Sequence, residues 1–267
     1  MPVTCAIVEV RKTEGGLSEA LFIPPDAPSI SNIFVIFPGD ISDFPCAKNN
    51  DALAMGCEEC MNYNYSLDSL TRDVSSIVGS RCATVCFRPC SFRGNFACYS
   101  NYVPTDFFGN PQWEKTSNDP CLTLLEYLDS LAETLFAPEL RSARLVLVGF
   151  SKGAVVLSAL LRSRNPKLLE RVDKFVFVDP GLSTPGRLFP FTQAEYDLFP
   201  SEIPMKVYTT DYQMCDPERP WLRREILEFA GRSGARLTHV PSGSKRSLDV
   251  HFDSITVAIA TTFRDSY

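Results

Sequence analysis

The sequence predicts an α/β fold, with a mostly parallel sheet of about eight strands and helices on both faces. Short apolar runs alternate with amphipathic helical stretches almost to the end of the chain. These runs lack alternating polar positions, which is typical of strands that are buried on both faces. The 267 residues suffice for a single domain with a well-buried sheet, and no repeat or linker interrupts them.

The first half of the chain contains four predicted strands and one predicted helix. The strands are expected at residues 4–10, 19–23, 33–37 and 83–87, and a turn at Glu14-Gly15-Gly16 joins the first two. Residues 40–64 are polar and irregular. Ser66 is the expected N-cap of a helix whose apolar residues recur at helical spacing as far as Val78. A loop rich in aromatic residues is expected at residues 88–118.

The second half repeats the alternation of strands and helices. Asp119-Pro120 begins a helix that carries a stripe of leucines. The later strands are expected at residues 144–148, 175–178, 205–208 and 236–240. The later helices are expected at residues 152–161, 221–230 and 252–263. A segment rich in proline and phenylalanine, residues 180–204, is a second expected insertion into the single domain of residues 1–267.

The stretch Gly149-Phe150-Ser151-Lys152-Gly153 lies between an apolar strand and an apolar helix. A G-x-S-x-G sequence in this setting predicts a nucleophile elbow, a tight turn that exposes the serine hydroxyl at its tip. Glycine two residues before and two residues after the serine removes the Cβ atoms that would collide with neighbouring backbone. The five residues alone are a weak signal, so the prediction depends on the flanking strand and helix. The fold class is therefore refined to α/β-hydrolase-like.

In this architecture the catalytic groups follow the chain order Ser, acid, His. The chain has only two histidines. His251 follows the last strand and directly precedes the final predicted helix, which is the expected place of the general base. His239 lies inside the last strand, where a structural role is expected. Ser151 is the predicted nucleophile and His251 its predicted base.

Three aspartates are candidates for the acid that orients the base. Asp216 lies in the loop after the next-to-last strand, the usual place, and ranks first. Asp179 ends the preceding strand, an alternative location that this fold uses, and ranks second; its structural role would be a carboxylate held by backbone amides of the turn at Pro180-Gly181. Asp211 shares a loop with Asp216 and ranks third.

The tetrahedral intermediate of acyl transfer requires two oxyanion donors. One predicted donor is the backbone N–H of Lys152, the residue after the nucleophile. The other is the N–H of Asp40 or Ile41, in the loop where Gly39 permits amides to point inward. The side chain of Lys152 is most simply expected to reach solvent, with Asp179 or Asp40 as alternative partners. The mechanism needs no cofactor and no metal.

Several motifs together resemble an α/β-hydrolase-like family of eukaryotes whose human member is a mitochondrial protein named for its chromosome-2 open reading frame. The matching segments are residues 37–40, 98–103, 108–109, 147–157, 212–221 and 251–252. The resemblance implies the α/β-hydrolase fold and the triad positions Ser151, Asp216 and His251; the family also has an aspartate at Asp179. After that aspartate the chain departs from the family, whose pattern is glycine-rich with a histidine.

Composition narrows the class of protein. The net charge is −6, from 26 basic and 32 acidic residues, without a basic cluster, which argues against a nucleic-acid partner. No apolar run is long enough to span a bilayer. The start of the chain shows neither a signal peptide nor an Arg-rich presequence, so an intracellular protein is expected, cytoplasmic by default. Mitochondrial location is implied only by the resemblance.

The ten cysteines are expected to be mostly reduced thiols. Cys57 and Cys60 form a CxxC pair that Cys46, Cys90 or Cys98 could extend around zinc, but no histidine or second CxxC lies near. A metal site is therefore not predicted.

Two hypotheses of function remain. The first is a serine hydrolase that acts on a small-molecule ester, thioester or related acyl substrate. Its aromatic loops would then cover an apolar acyl site, although packing beneath long loops explains the same residues equally well. The second is a catalytically silent protein that keeps the scaffold to bind a partner.

Overall fold

The computed structural model describes residues 5–12, 17–26, 29–40, 66–79, 82–94, 96–241 and 247–265. In chain order the strands are β1 (Ala6–Arg11), β2 (Leu17–Ile23), β3 (Asn32–Phe37), β4 (Cys82–Phe87), β5 (Ser91–Arg93), β6 (Phe96–Cys98), β7 (Arg144–Phe150), β8 (Val172–Val178), β9 (Met205–Thr209) and β10 (Arg236–His239). The helices are α1 (Leu67–Val78), α2 (Pro120–Thr134), α3 (Ala154–Ser163), α4 (Pro166–Leu169), α5 (Gln193–Tyr196), α6 (Asp211–Met214), α7 (Trp221–Ser233) and α8 (Leu248–Arg264).

Eight of these strands form one sheet in the order β1-β2-β4-β3-β7-β8-β9-β10. β2 pairs antiparallel with both β1 and β4, and every later pairing in the sheet is parallel. β3, β4 and β7–β10 therefore end at the same edge of the sheet, where the loops that follow these strands meet. This arrangement confirms the predicted fold class.

Apolar side chains fill both faces of the sheet. One core layer includes α2, α3 and α7, and the opposite layer includes α1 and α8. All residues of α3 from Ala154 to Leu161 are buried. This burial explains why a helix that is apolar on almost every side suits this position. Among the described residues, no helix combines the length and the apolar character that a membrane crossing requires.

Two details of the sequence prediction are wrong. The final helix begins at Leu248, four residues before the predicted start, with Ser247 as its N-cap. His251 therefore lies in the first turn of α8 and not ahead of it. In the aromatic loop, β5 and β6 form a short antiparallel hairpin that the sequence analysis did not predict.

Candidate active site

Ser151 lies at the junction of β7 and α3, in the left-handed backbone region with a φ of 51°. This conformation is costly for a residue with a side chain and is often found at functional sites. The two flanking glycines make the turn possible. A Cβ atom at Gly153 would lie 1.9 Å from the carbonyl oxygen of Phe37, and one at Gly149 would lie 2.8 Å from the Cα atom of Ala154. Neither position has room for a larger residue.

The loop after β3 passes directly against the serine side chain. A Cβ atom at Gly39 would lie 2.5 Å from the Cβ atom and 3.0 Å from the Oγ atom of Ser151. From the other side, the hydroxyl of Tyr99 donates a hydrogen bond of 2.5 Å to the carbonyl oxygen of Pro38. The loop is thus fixed beside Ser151, which itself remains partly exposed.

His251 and Asp179 form a buried pair at the same edge of the sheet. The Nδ1 atom of His251 lies 2.6 Å from the Oδ2 atom of Asp179, although the two residues are 72 positions apart. His251 is 4% exposed and Asp179 is completely buried. Asp179 follows β8 and, like Ser151, has a φ in the left-handed region, at 42°.

Thr210 fixes the carboxylate of Asp179 from the end of the neighbouring strand. Its backbone N–H donates to Oδ1 at 2.8 Å, and its hydroxyl donates to Oδ2 at 2.6 Å. Because a carboxylate only accepts hydrogen bonds, the Nδ1 atom of His251 carries the ring proton. In the neutral imidazole this leaves the lone pair on Nε2, which is the arrangement that a general base requires.

Two aromatic rings pack against the imidazole of His251. The ring centroid of Phe150, the residue before the serine, lies 4.6 Å from that of His251. Tyr212 stacks at the same centroid distance with an interplanar angle of 24°. Thr210 and Tyr212 were not singled out as site residues from the sequence. A threonine at the N-cap of α6 is a recognisable local signal, but nothing in the sequence links it to Asp179.

The structure gives Asp216 and Asp211 other partners. Asp216 is 6% exposed; its Oδ1 atom accepts from the N–H of Glu218, and its Oδ2 atom lies 2.8 Å from Nε and 2.7 Å from Nη2 of Arg219. The Oδ1 atom of Asp211 lies 3.5 Å from the Nε2 atom of His239. Of the three aspartates proposed from the sequence, it is Asp179 that the structure joins to His251.

The prediction that the Lys152 side chain reaches solvent is wrong, because only 3% of this side chain is exposed. The Nζ atom donates to the carbonyl oxygen of Phe108 at 2.8 Å and lies 3.4 Å from the Oδ1 atom of Asp40. It also lies 4.6 Å from the ring centroid of Phe96, a cation–π distance. Of the two alternative partners, Asp179 and Asp40, it is therefore Asp40 that lies near the ammonium of Lys152. Ile41, the other candidate oxyanion donor in the loop after β3, lies outside the described residues.

The carboxylate of Asp40 accepts a second hydrogen bond, from the N–H of Ala97 at 2.7 Å. Although 36% of the side chain remains exposed, burial of the carboxyl group raises the pKa of Asp40 above its ordinary value. The ammonium of Lys152 and the N–H of Ala97 act in the opposite direction on that pKa.

The cysteines offer no metal centre within the part of the chain that the structure describes. The free thiols there are Cys5, Cys82, Cys86, Cys90, Cys98, Cys121 and Cys215. Burial raises the pKa of Cys121 to about 11 and that of Cys86 to about 12, so both are protonated and unreactive at neutral pH. Cys46, Cys57 and Cys60 lie outside the described residues.

The aromatic loops mostly pack inward. Tyr99, Tyr102 and Trp113 are buried, and Phe189 stacks on Phe229 of α7 at a centroid distance of 4.0 Å. Phe107 and Phe108 differ, because they are 68% and 52% exposed.

Comparisons with known proteins agree with the resemblance found in the motifs. The model of the C2orf69 family matches residues 127–232. The human mitochondrial protein C2orf69 is 23% identical, with 85% of this chain and 71% of that protein covered. A Danio rerio homolog is 25% identical, with 86% and 71% covered. The resemblance is thereby confirmed. These relatives are named mitochondrial proteins, and nothing among them supports the cytoplasmic default.

Solved structures confirm the fold. The esterase Est22 superposes with a TM-score of 0.57 at 14% identity, covering 98% of this chain and 80% of that one. A thermostable esterase from Pseudomonas putida gives 0.53 at 13% identity, with 99% and 81% covered. The carboxylesterase EstE1 gives 0.53 at 16% identity, with 99% and 90% covered. At these identities the likeness shows the α/β-hydrolase fold alone.

Proposed function

We propose that this chain, which is related to the C2orf69 family, is a serine hydrolase that cleaves an ester, thioester or related acyl compound. The observation that carries the proposal is the buried 2.6 Å contact between His251 Nδ1 and Asp179 Oδ2, at the same edge of the sheet as a serine in a strained turn. An aromatic ring of the elbow, that of Phe150, packs on the imidazole and brings the two parts of the site together.

In the proposed reaction, the Oγ atom of Ser151 attacks the acyl carbonyl carbon while the Nε2 atom of His251 takes the hydroxyl proton. The C–O or C–S bond to the leaving group then breaks, and the leaving group receives that proton. Water, activated by the same nitrogen, hydrolyses the acyl-enzyme and regenerates the serine. Asp179 holds the imidazole in the required tautomer and stabilises its cation.

The oxyanion of the tetrahedral intermediate is proposed to lie between the backbone N–H groups of Lys152 and Asp40. The tight approach of Gly39 to Ser151 supports this assignment, because it brings the loop after β3 beside the attacking oxygen. The loss of one such donor costs about 100- to 1000-fold in turnover.

A fluorophosphonate probe tests the proposal directly, because it reacts covalently with activated serines. The wild-type protein should be labelled at Ser151, as located by peptide mass spectrometry. The Ser151→Ala variant should not be labelled, and His251→Ala should react at least 100-fold more slowly. Folded wild-type protein that stays unlabelled between pH 6 and pH 9 would instead favour the silent binding scaffold.

An apolar acyl chain is the proposed substrate element. Asp106 builds a rigid turn, because its Oδ1 atom accepts from the N–H groups of Phe108 and Asn110, and this turn presents Phe107 and Phe108 to solvent. The carbonyl of Phe108 is bonded to Lys152, next to the nucleophile. Two exposed phenylalanines at this place offer a surface for the acyl chain.

Chain-length selectivity tests this substrate assignment. Phe107→Ser combined with Phe108→Ser should lower kcat/KM for long p-nitrophenyl esters about 10-fold or more while acetate hydrolysis changes little. Phe136→Ser is the matched control, since Phe136 is 93% exposed at the end of α2, which packs on the edge strand β1. An equal effect on short and long esters would contradict the assignment.

The compartment is proposed from the relatives' names alone, which favour mitochondria. Fractionation of cells that express the full-length native protein tests it, and recovery in the cytosol would contradict it.

A further inference from the structure

A buried lysine directly after the nucleophile needs a physical reason. An ammonium withdrawn from water is costly unless charge and hydrogen bonds compensate for the loss of hydration. Lys152 obtains this compensation from two segments, since it reaches the carbonyl of Phe108 at 2.8 Å and the carboxylate of Asp40 at 3.4 Å. A smaller apolar side chain would avoid the cost, so the lysine points to a role beyond filling space.

The partners of Lys152 connect three loops that meet at the serine. Lys152 belongs to the elbow, Asp40 to the loop after β3, and Phe108 to the turn that follows the β5–β6 hairpin. Asp40 closes the connection by accepting the N–H of Ala97 at 2.7 Å. The space for Lys152 is tight, because a Cβ atom at Gly109 would lie 3.0 Å from its Nζ atom. The ammonium therefore lies close against the backbone at Gly109.

The same two residues supply the proposed oxyanion donors. The backbone N–H groups of Lys152 and Asp40 belong to different loops, and the side chains of the same residues form an ion pair across the gap between those loops. The ion pair thus restrains the separation of the two amides. Donors for a developing oxyanion must be held within about 0.5 Å of the productive geometry.

We propose that the Lys152–Asp40 ion pair is a positioning device for the oxyanion hole. Its side chains do not touch the reacting atoms; they fix the loop after β3 against the elbow so that both amides aim at one point. This inference rests on the proposed hydrolase function. It identifies Lys152 and Asp40 as positioning residues for turnover.

The decisive variant is Lys152→Met, which keeps the length and apolar stem of the side chain and removes the charge. It should lower kcat on p-nitrophenyl acetate about 10- to 100-fold while KM changes less than about threefold, because ground-state binding does not need the oxyanion geometry. Lys152→Arg should restore part of kcat. Asp40→Asn should act in the same direction, and the double variant should lose much less than the product of the single losses.

Lys206→Met is the matched control. Lys206 is a buried lysine paired with Asp265, but it lies near the amino end of β9, at the opposite edge of the sheet. The control variant should lose stability and keep kcat. If both methionine variants lower kcat in proportion to their loss of stability, the effect at Lys152 is structural and the inference fails.

Hydrogen exchange gives a readout that does not depend on activity. In Lys152→Met, amides in the peptide that contains Phe37 to Asp40 should exchange several-fold faster than in wild type, whereas Lys206→Met should leave that peptide unchanged. An unchanged exchange rate in Lys152→Met overturns the inference whether or not the protein hydrolyses esters. Failure of the probe to label wild-type Ser151 overturns the hydrolase proposal separately.

Discussion

The loops after β8 and β9 each carry a buried aspartate, but the two carboxylates are used differently. Asp179 is bonded to His251 and to Thr210, two residues far away in the chain. Asp216 is bonded to Arg219 and to the N–H of Glu218, within its own loop. A buried carboxylate always needs partners, so burial alone does not mark a catalytic acid. The two aspartates differ in their partners: Asp179 contacts the histidine that is proposed as the base, and Asp216 organises a turn within its own loop.

The strongest test of this contrast is Asp179→Asn. The amide should favour the wrong tautomer of His251 and cannot stabilise its cation, so kcat should fall about 10,000-fold. The change is measured with p-nitrophenyl acetate, and circular dichroism checks that the fold persists. A folded variant that retains more than a tenth of wild-type turnover would assign the acid elsewhere.

Asp216→Asn should instead lower the stability of the fold and change turnover little. Removal of the charge leaves the guanidinium of Arg219 without its anion in a mostly buried place, and we expect a loss of about 2 kcal/mol in the free energy of unfolding. Turnover of the folded fraction should stay within about tenfold of wild type. Urea unfolding and ester hydrolysis measure the two effects. A catalytic loss as large as that of Asp179→Asn, without a change in stability, would support the order of candidates given by the sequence.

Thr210→Val tests the anchoring of Asp179, and it also removes the hydroxyl that accepts from the N–H of Tyr212 at the N-cap of α6. The variant loses the hydroxyl donor at 2.6 Å but retains the backbone donor. A hydrogen bond to a charged group contributes about 1.5–3 kcal/mol, so we expect kcat to fall about 10-fold or somewhat more. Thr210→Ser keeps the hydroxyl and should restore most of the rate; if it does not, the role of the hydroxyl is contradicted.

Tyr212→Leu should have the smallest effect. The variant removes one of the two rings that stack on His251, an interaction of about 0.5–1.5 kcal/mol. The expected loss in kcat is therefore about two- to tenfold, measured with the same ester. Tyr212→Phe retains the ring and serves as the control, and equal losses in the two variants would implicate the hydroxyl instead of the stacking.

The parts of the site that were predictable depend on local sequence. Gly149 and Gly153 around Ser151 predict a tight turn, and the structure has no room for a Cβ atom at either glycine. Continuous apolar runs predict the parallel strands. The choice between Asp179 and Asp216 was not predictable, because both follow strand ends. It depends on the pairing of β8 with β9, which brings the end of one strand beside Thr210 at the end of the other. No local pattern encodes that neighbourhood.

The position of the Lys152 side chain escaped prediction for a related reason. Its nearest acceptor is the backbone carbonyl of Phe108, 44 residues away, and every residue type offers such a carbonyl. A sequence therefore gives no residue-specific signal for this contact. The early start of α8 was missed because Leu248 and Val250 alternate with Asp249 and His251, which is not helical spacing, although Ser247 is a regular N-cap.

The two rings that pack on His251, together with the contact at Nδ1, oppose rotation of the imidazole about its Cβ–Cγ bond. In the proposed reaction, the second ring nitrogen therefore keeps a single direction. A proton removed from the serine has to be delivered along that direction, so the departing alcohol or thiol must come to the nitrogen. Compounds whose departing group is too rigid or too bulky to do so should acylate the serine slowly, whatever their acyl chain.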